Sequence, residues 1–471
     1  MKTFIAEMCI AGALFLTLSA SVMQAAVKDD AAWKRAVADP AAAQLARPTK
    51  VQYDWQELER AMFIQLDPAT IQQGEYDNGT TPMKEIKFEK LDVNEWCMAA
   101  KAWGAKEIVF MLAHSGGFCM WPTKTTSYHI GNTPYKGGNG DVVKEFAAAC
   151  RRHGLKAGFY FWMPRPLSEK ADVNTVSYSR LDKVQTWDDA HKVFGTRFNE
   201  IMDRLGADLV TEIWIDQPIK AKIGKAIAAR APKAVVQAIG CHDPYPTIRW
   251  PGTETGTVKY PCWSTIQWSQ IAKNPKTQYE ADGYQAQSND DPDGTYWAPH
   301  EADITLHDHF WHMRPDALNH RRSLEALMNC YEQSVGRNSF LILNCAPMAD
   351  GSVHPDDMKR YQELGAEIER RFGHPVAVVE QVPGNEVVLN LGGLKEIAYA
   401  DLWEDYRYGH RIREFVIEGF NGKEWIELSR GTAVGRRYLS RCPATPVSKV
   451  RVRITKSVGT PLIRKFQLHA K

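Results

Sequence analysis

Short apolar runs alternate with amphipathic stretches of helical period between about residues 52 and 373. The apolar runs are nearly continuous, which is typical of parallel strands that are buried on both faces. Strands are predicted at 62–66, 107–113, 156–162, 208–216, 235–239 and 340–344. Helices are predicted between and after them, at 93–103, 142–153, 187–205, 219–229, 315–334 and 355–372.

No glycine-rich phosphate-binding loop follows the first strand, so the alternation favours an α/β fold with a (β/α)8-like TIM barrel over a dinucleotide-binding sheet. After residue 373 the helical period stops, and short runs separated by Gly and Asn turns predict a C-terminal β-sandwich. The predicted units are a lead-in segment at 27–50, a barrel at 51–373 and the sandwich at 374–471. The strand-like runs of the sandwich lie at 376–379, 386–390, 396–400, 414–417, 449–454 and 463–468.

Composition narrows the possible partners and the location. Of 471 residues, 44% are hydrophobic and 24% are charged, which is ordinary for a folded globular protein. The formal charge is +2 and no basic block is present, so a nucleic-acid partner is not expected. Residues 1–26 contain Lys2, an apolar run and a small-residue end, which predicts a cleaved signal peptide and a secreted or periplasmic protein.

The apolar run at 10–22 is shorter than the ~20 residues of a membrane helix, so no membrane insertion is expected after cleavage. An uncleaved N-terminal anchor is the alternative. Cleavage would remove Cys9 and leave eight cysteines without a CxxC pair, which favours buried thiols over a zinc or dithiol centre. The disulfide status and the oligomeric state stay open.

Two carboxylates are candidates for catalysis. The period of two over 208–216 places Glu212, Trp214 and Asp216 on one face, and Asp216 falls at the strand end, where a barrel carries its active site. Glu254 lies in a glycine-flanked turn. An ionised and a protonated carboxyl group on either side of a sugar is what retaining glycoside hydrolysis needs. The alternatives are that Asp216 caps the following helix and that Glu254 is a surface carboxylate.

Other polar residues offer weaker candidates. Glu301, in a loop with a tryptophan, is a fallback acid. His307, His309 and His312 could suggest a metal cluster, but beside aromatic residues they are interpreted as polar lining, and no metal is expected. No cofactor is expected either, because acid/base chemistry with a carboxylate nucleophile suffices.

Several sequence blocks then point to one family. They are 117–122 (GFCMWP), 140–146 (GDVVKEF), 149–158 (ACRRHGLKAG), 213–216 (IWID), 249–250 (RW) with 254–256 (ETG), 301–304 (EADI) and 341–347 (LILNCAP). In this order they resemble the α-L-fucosidases of glycoside hydrolase family 29, most closely the branch acting on α-1,3/1,4-linked fucose. The resemblance implies a catalytic barrel followed by a β-sandwich, with Asp216 as nucleophile and Glu254 as acid/base.

The chain departs from the family pattern where the sugar would bind. Gln65 stands in place of the histidine of the first strand, and His114-Ser-Gly-Gly-Phe118 keeps one histidine of His-His-Asp-Gly-Phe. Glu75 plausibly replaces the glutamate of Glu-Trp-Gly, and Trp162-Met-Pro-Arg165 stands for Ser-Pro-Trp-Asp. Such changes should alter the preferred sugar or weaken fucose binding. The residues expected to bind substrate are Gln65, Glu75, His114, Trp121, Trp162, Trp214, Arg249 and Trp250.

The sequence therefore predicts an exported retaining exo-glycosidase that removes terminal α-L-fucose, or a closely related sugar, from an oligosaccharide or polysaccharide. One alternative is the same chemistry on another glycone, such as α-L-galactose. A second is a catalytically inactive carbohydrate-binding protein, which would bind glycans without hydrolysing them. The linkage and the natural polymer stay open.

Overall fold

The computed structural model describes residues 23–24, 29–114, 116–162, 184–218, 221–239, 247–267 and 290–470, and for 23–24, 216–218, 221–223 and 238–239 it describes only the backbone. Most of the predicted signal peptide, 1–26, therefore lies outside the described residues. Strand β1, Met23–Gln24, pairs in parallel with Ala377 and Val378. Cleavage after residue 26 would remove this pairing.

Seven parallel strands form the larger part of the molecule, in the order β6-β5-β4-β3-β2-β10-β9. Their bounds are β2 Arg60–Ile64, β3 Glu107–Ala113, β4 Lys156–Phe161, β5 Val210–Pro218, β6 Val235–Ile239, β9 Glu301–Ile304 and β10 Phe340–Cys345. The six predicted strands are all present, with ends displaced by at most two residues. A separate antiparallel pair is formed by β7 Thr265–Ile266 and β8 Tyr296–Trp297.

The segment 247–249 lies between the two edges of this curled parallel sheet. Thr247 forms a single bridge to Val236 on one edge strand, and Arg249 forms one to His300 beside the other edge strand. Among the described residues, the predicted barrel of eight regular strands is thus a seven-stranded sheet whose edges meet through isolated bridges. Strand β9 was not predicted from the sequence.

Helices cover the outer side of the parallel sheet. Helix α5 shows why they form where they do: the Asp141 side chain accepts from the Lys144 N–H at its start, and Gly154, with φ 69°, ends it. The helices are α1 Asp30–Val37, α2 Lys50–Gln56, α3 Pro68–Gln72, α4 Val93–Ala102, α5 Val142–His153, α6 Trp187–Leu205, α7 Ala221–Arg230, α8 Leu324–Gln333 and α9 Pro355–Phe372. No helix in the described part of the chain is long and apolar enough to cross a membrane.

The helix predicted at 315–334 is wrong in its first half. A short 3-10 turn, Ala317–His320, is followed by Arg321 in an extended conformation. The Ser323 side chain then accepts from the Ala326 N–H and begins α8 at Leu324. Apolar periodicity alone did not reveal this interruption, because the N-cap serine falls inside the periodic stretch.

Strand β5 shows how the sheet separates two layers of side chains. Ile213 and Ile215 belong to the apolar core shared with the helices. Trp214, between them, packs on the other side with Phe63 and Tyr160. The alternation predicted for this strand is therefore present, and its inner face carries aromatic side chains.

The C-terminal part is an antiparallel sheet domain. The 19-residue strand β12 pairs with β16 along its first part and with β17 and β15 along its second, across an irregularity between Asn390 and Lys395. The runs predicted at 386–390 and 396–400 are thus one strand. The strands are β11 Ala377–Pro383, β12 Glu386–Glu404, β13 Ile412–Phe420, β14 Trp425–Gly431, β15 Tyr438–Arg441, β16 Pro446–Ser457 and β17 Leu462–Ala470.

Candidate active site

Residues from distant parts of the chain meet beyond the carboxyl ends of the parallel strands. Gln65 follows β2, His114 follows β3 and Trp162 follows β4. All three are mostly buried. The carboxyl end of a parallel barrel is where catalytic residues of this architecture lie.

Aromatic rings surround His114. Tyr76 stacks on its imidazole at 5.6 Å with the ring planes 8° apart, and Trp162 meets it edge-on at 5.5 Å. Tyr160 lies 5.7 Å from the imidazole and 5.8 Å from the Trp214 ring. Tyr76 is 40% exposed, so this group of rings reaches the surface. Flat aromatic faces bearing polar tips are suited to the apolar faces of a sugar ring.

A charged group lies beside this aromatic cluster. His312 is fully buried, with Nε2 3.3 Å from an Asp67 oxygen and Nδ1 3.9 Å from a Glu75 oxygen. Burial alone would lower the pKa of His312, but the two carboxylates together raise it to about 10. Burial lowers the pKa of neighbouring His114 to about 4. At neutral pH one imidazole is therefore charged and the other is neutral.

Glu254 lies on the loop that follows residues 247–249, the segment between the two edges of the parallel sheet. The Trp311 indole donates a hydrogen bond to Glu254 Oε2 at 3.2 Å. Burial raises the pKa of Glu254; the Trp311 hydrogen bond opposes this effect, whereas the charge of Glu75 reinforces it. A half-buried carboxyl group whose pKa is raised is suited to holding a proton and giving it up.

Asp216 belongs to β5, which continues two residues beyond the predicted strand end. Its side chain lies outside the described residues. Its two alternate neighbours on the same strand, Glu212 and Trp214, are both buried inside the sheet. The backbone of Asp216 thus lies at the carboxyl end of β5.

The loop that carries Glu75 and Tyr76 is held by Asp77. This buried carboxyl accepts hydrogen bonds from Tyr128 Oη at 2.9 Å and from the backbone N–H of Gly79 at 2.9 Å. It also occupies the space beside Gly116, where an added Cβ would overlap the Asp77 carboxyl group. Position 116 is where the family motif has its aspartate, so a carboxyl group from another loop lies where that side chain would begin.

Two residues expected to bind substrate have structural contacts instead. Trp121 has no exposed surface, and its indole donates to Glu200 on α6 at 2.9 Å. Arg249 is buried, and its guanidinium contacts the Ala298 and Trp263 carbonyls and the Asp290 carboxylate. The sequence did not reveal that these side chains anchor loops and helices from beneath the site.

Trp250 lies closer to the site. Its indole donates to Asp303 Oδ1 at 2.7 Å, and its ring meets Trp214 edge-on at 5.9 Å. Burial, reinforced by the charge of Glu254, raises the pKa of Asp303 well above its usual value. Trp250 therefore connects the loop of Glu254 to the aromatic inner face of the sheet.

Glu301, the fallback acid, lies deep inside the sheet. It has no exposed surface, and Trp214 donates to it at 2.6 Å. Glu212 and Glu107 are equally buried and accept from the Trp55 indole and the Thr211 hydroxyl, respectively. Burial raises the pKa of Glu301 to about 7, that of Glu107 to about 8 and that of Glu212 well above its usual value. Glu301 has no access to a substrate in solution.

This buried glutamic acid cluster, Glu107, Glu212 and Glu301, should make the protein less stable as the pH rises. Its members have raised pKa values when folded, so the folded state binds more protons, and stability falls between about pH 5 and pH 8. We expect Glu107→Gln to remove roughly 1.4 kcal/mol per pH unit of this decline. Urea unfolding at a series of pH values measures the slope.

The exposed Glu424, which lies in the turn before β14, provides the control for that measurement. Glu424→Gln should leave the dependence of unfolding free energy on pH as it is in the wild type. Equal slopes for Glu107→Gln and the wild type would contradict the expected role of the cluster.

The histidines considered for a metal cluster do not meet. His307 contacts Asp357, His309 is exposed, and His312 contacts Asp67. A different set, Cys262, Asp290 and His300, has its ligand atoms within 4.8 Å of one another. One Asp290 oxygen already binds His300 and the Arg249 guanidinium, and the other accepts from the Trp263 N–H. The charge of Arg249 at 3.0 Å makes this set unsuited to a cation.

Sequence reasoning missed Trp311 and Arg314, and it gave His312 only as polar lining. All three follow β9 on one loop, and Arg314 lies 3.9 Å from Glu75. Tyr76 and Tyr160 were also missing from the predicted set. The available signal was the density of aromatic and charged residues at 307–314, which suggested polar lining without indicating its partners.

A family model and a curated relative that match this chain carry the same description. A family model described as Alpha-L-fucosidase matches residues 40–371. Alpha-L-fucosidase 1 of Arabidopsis thaliana is 25% identical over 477 residues, which cover 90% of this chain and 88% of that protein.

Solved structures extend the comparison. A structure from Bacteroides thetaiotaomicron VPI-5482 aligns with a TM-score of 0.79 and 26% identity, covering 91% of this chain and all of the other. A GH29 fucosidase of Ruminococcus gnavus in complex with fucose aligns with a TM-score of 0.75 and 21% identity, covering 96% and 98% of the two chains, which supports the fold.

Proposed function

We propose a specific reaction for this chain, which belongs to the alpha-L-fucosidase family of glycoside hydrolases. The reaction is removal of a terminal α-L-fucose, or of a closely related sugar, from a glycan with retention of configuration. The observation that carries the proposal is Glu254: a half-buried carboxyl group with a raised pKa, held by Trp311 beyond the carboxyl ends of the strands.

In the first step of the proposed mechanism, a carboxylate oxygen of Asp216 attacks the anomeric carbon. The bond from that carbon to the leaving oxygen breaks, and the leaving oxygen takes the proton of Glu254. In the second step, Glu254 removes a proton from water, the water oxygen attacks the anomeric carbon, and the bond to Asp216 breaks. Asp216 is proposed because Glu212 and Trp214, its alternate neighbours on β5, lie inside the sheet.

The sugar would lie against the aromatic cluster. Neutral His114 and the side-chain amide of Gln65 can exchange hydrogen bonds with hydroxyl groups, and the Glu75 carboxylate can accept from two. Tyr76, Tyr160 and Trp162 offer ring faces to the sugar. This set differs from the family motif at Gln65 and after His114, so we propose fucose first and α-L-galactose as the alternative glycone.

The predicted signal peptide supports export of the enzyme to the periplasm or the medium. Both places hold polysaccharides and oligosaccharides that an exo-acting glycosidase could trim. The general acid/base pair suffices for this reaction, so the proposal includes no cofactor. Cell fractionation with an antibody against the C-terminal domain tests export, and we expect the protein outside the cytoplasm.

Hydrolysis of two matched aryl glycosides tests the reaction and the glycone. We expect the purified full chain to hydrolyse 4-nitrophenyl α-L-fucopyranoside or the corresponding α-L-galactopyranoside. The first anomer of the free sugar, observed by proton NMR before mutarotation, should be the α anomer.

Release of the β anomer would contradict the double displacement. Binding of either sugar without hydrolysis by the wild type would instead support the carbohydrate-binding alternative. Calorimetric titration with the free sugars, carried out on the same preparation, separates binding from turnover.

A further inference from the structure

Trp311 is held through its ring and through its backbone. The indole meets Phe63 edge-on, with the ring centroids 5.9 Å apart and the planes at 86°. Its backbone carbonyl accepts from the side-chain amide of Asn344, at the end of β10, at 2.9 Å. The next residue, His312, is fully buried and lies 3.3 Å from Asp67. The indole N–H therefore has a fixed direction, set by the sheet itself.

The backbone that carries Glu254 is equally constrained. Glu254 has φ 49°, a left-handed conformation that non-glycine residues rarely adopt, and it lies between Gly252 and Gly256, which are also left-handed. The Gly256 N–H donates to the Asp303 carbonyl at 2.8 Å. A Cβ at Gly256 would press on Ile304, so that position tolerates little else. Strain of this kind persists where the surrounding structure fixes it.

We propose that Trp311 is a positioning residue whose indole N–H holds Oε2 of Glu254 and so leaves Oε1 to carry the transferable proton. The indole N–H only donates hydrogen bonds. It can therefore bond one carboxyl oxygen of Glu254 without accepting the proton carried by the other. The proton would then sit on the same oxygen in every turnover. This inference rests on the proposed function of Glu254 and extends it to the residue that orients the acid.

The electrostatics of the site agree with this geometry. Burial raises the pKa of Glu254, and the Trp311 hydrogen bond acts against it, because the donor favours the ionised form. Among the described residues, the charged groups that act on Glu254 are Glu75, which raises its pKa, and His309, which lowers it. Buried Asp303 also interacts with Glu254. Trp311 and Glu75 thus influence the acid in opposite directions.

The direct test is a titration of the Glu254 carboxyl group in the full-length protein. Carboxyl-13C glutamate labelling gives its NMR signal, which is assigned by its loss in Glu254→Gln. We expect Trp311→Phe, which keeps the ring and removes the donor, to raise the titration midpoint by roughly one pH unit. We expect Glu75→Gln to lower the midpoint.

Kinetics give the second readout. In Trp311→Phe the alkaline limb of kcat/KM should move to higher pH, and kcat for substrates with poor leaving groups should fall roughly tenfold with little change in KM. Trp403→Phe is the matched control, because it removes an indole that donates to Asp401 in the C-terminal domain. Trp403→Phe should leave the titration midpoint of Glu254 and the alkaline limb of the kcat/KM profile unchanged.

A Glu254 midpoint that does not move in Trp311→Phe would overturn the proposal. So would a midpoint that moves equally in Trp403→Phe, since that would reflect a general change in the protein. The titration needs no turnover, so a wild type that hydrolyses no glycoside would refute the proposed function while leaving this test intact.

Discussion

Replacing Asp216 with asparagine should lower turnover of an aryl α-L-fucoside roughly 10⁴-fold or more. The amide cannot attack the anomeric carbon as a carboxylate does, so no covalent glycosyl-enzyme would form. Initial rates with a highly activated aryl fucoside measure the loss.

Asp208 provides a matched control just before the same strand. It is exposed and paired with Arg151 at 3.1 Å, away from the carboxyl ends of the strands. Asp208→Asn should keep full activity. Full activity in Asp216→Asn would show that the nucleophile is another residue, whereas loss in both variants would indicate damage to β5.

Replacing Glu254 with glutamine should slow the enzyme roughly 10²- to 10⁴-fold on substrates with poor leaving groups. The loss should be much smaller for a dinitrophenyl leaving group, which departs without a proton. Azide, a nucleophile that needs no general base, should restore turnover and yield the α-glycosyl azide. Steady-state kinetics and NMR of the product measure the three effects.

Azide should fail to rescue Asp216→Asn by the same route, which separates the two carboxylates. If Glu254→Gln lost activity equally on good and poor leaving groups, with no effect of azide, Glu254 would not be the acid/base. Glu363→Gln, on the partly exposed face of α9, is a suitable control for the substitution itself.

The parts of the fold that the sequence predicts well are those whose signals are local. Helix α5 has an N-cap aspartate, an apolar stripe and a terminal glycine within one stretch, and its predicted bounds agree with the structure. Strand β3 is an uninterrupted apolar run that is buried throughout, and its bounds also agree. The ends of β2 and β5 lie two residues from their predicted positions, because the pairing with neighbouring strands decides where a strand stops.

Strand β9 could not be predicted in this way. Two of its four residues, Glu301 and Asp303, are acidic, a composition typical of a loop. Both are nevertheless buried, because the indoles of Trp214 and Trp250 donate to them. The two tryptophans lie 87 and 53 positions away in sequence. The hydrogen bonds that allow these carboxyl groups to be buried therefore have no local signal in the sequence.

The candidate site also contains residues with a local sequence signal and residues without one. Glu254 was predicted from its glycine-flanked loop together with the family resemblance. Trp311 and His312 lie on another loop, and their roles depend on contacts with Glu254 and Asp67 that only the folded chain brings about. The aromatic content indicated carbohydrate chemistry but did not reveal which rings meet around His114.

The carboxyl group of Asp77 beside Gly116 has an evolutionary consequence. An aspartate introduced at position 116 would collide with the one at 77 unless the latter were replaced first. The effects of substitutions at the two positions are thus coupled, and a chain carrying this pair cannot acquire the family's aspartate by a single substitution. The order in which the two substitutions occur would then constrain which sequences this loop pair can reach.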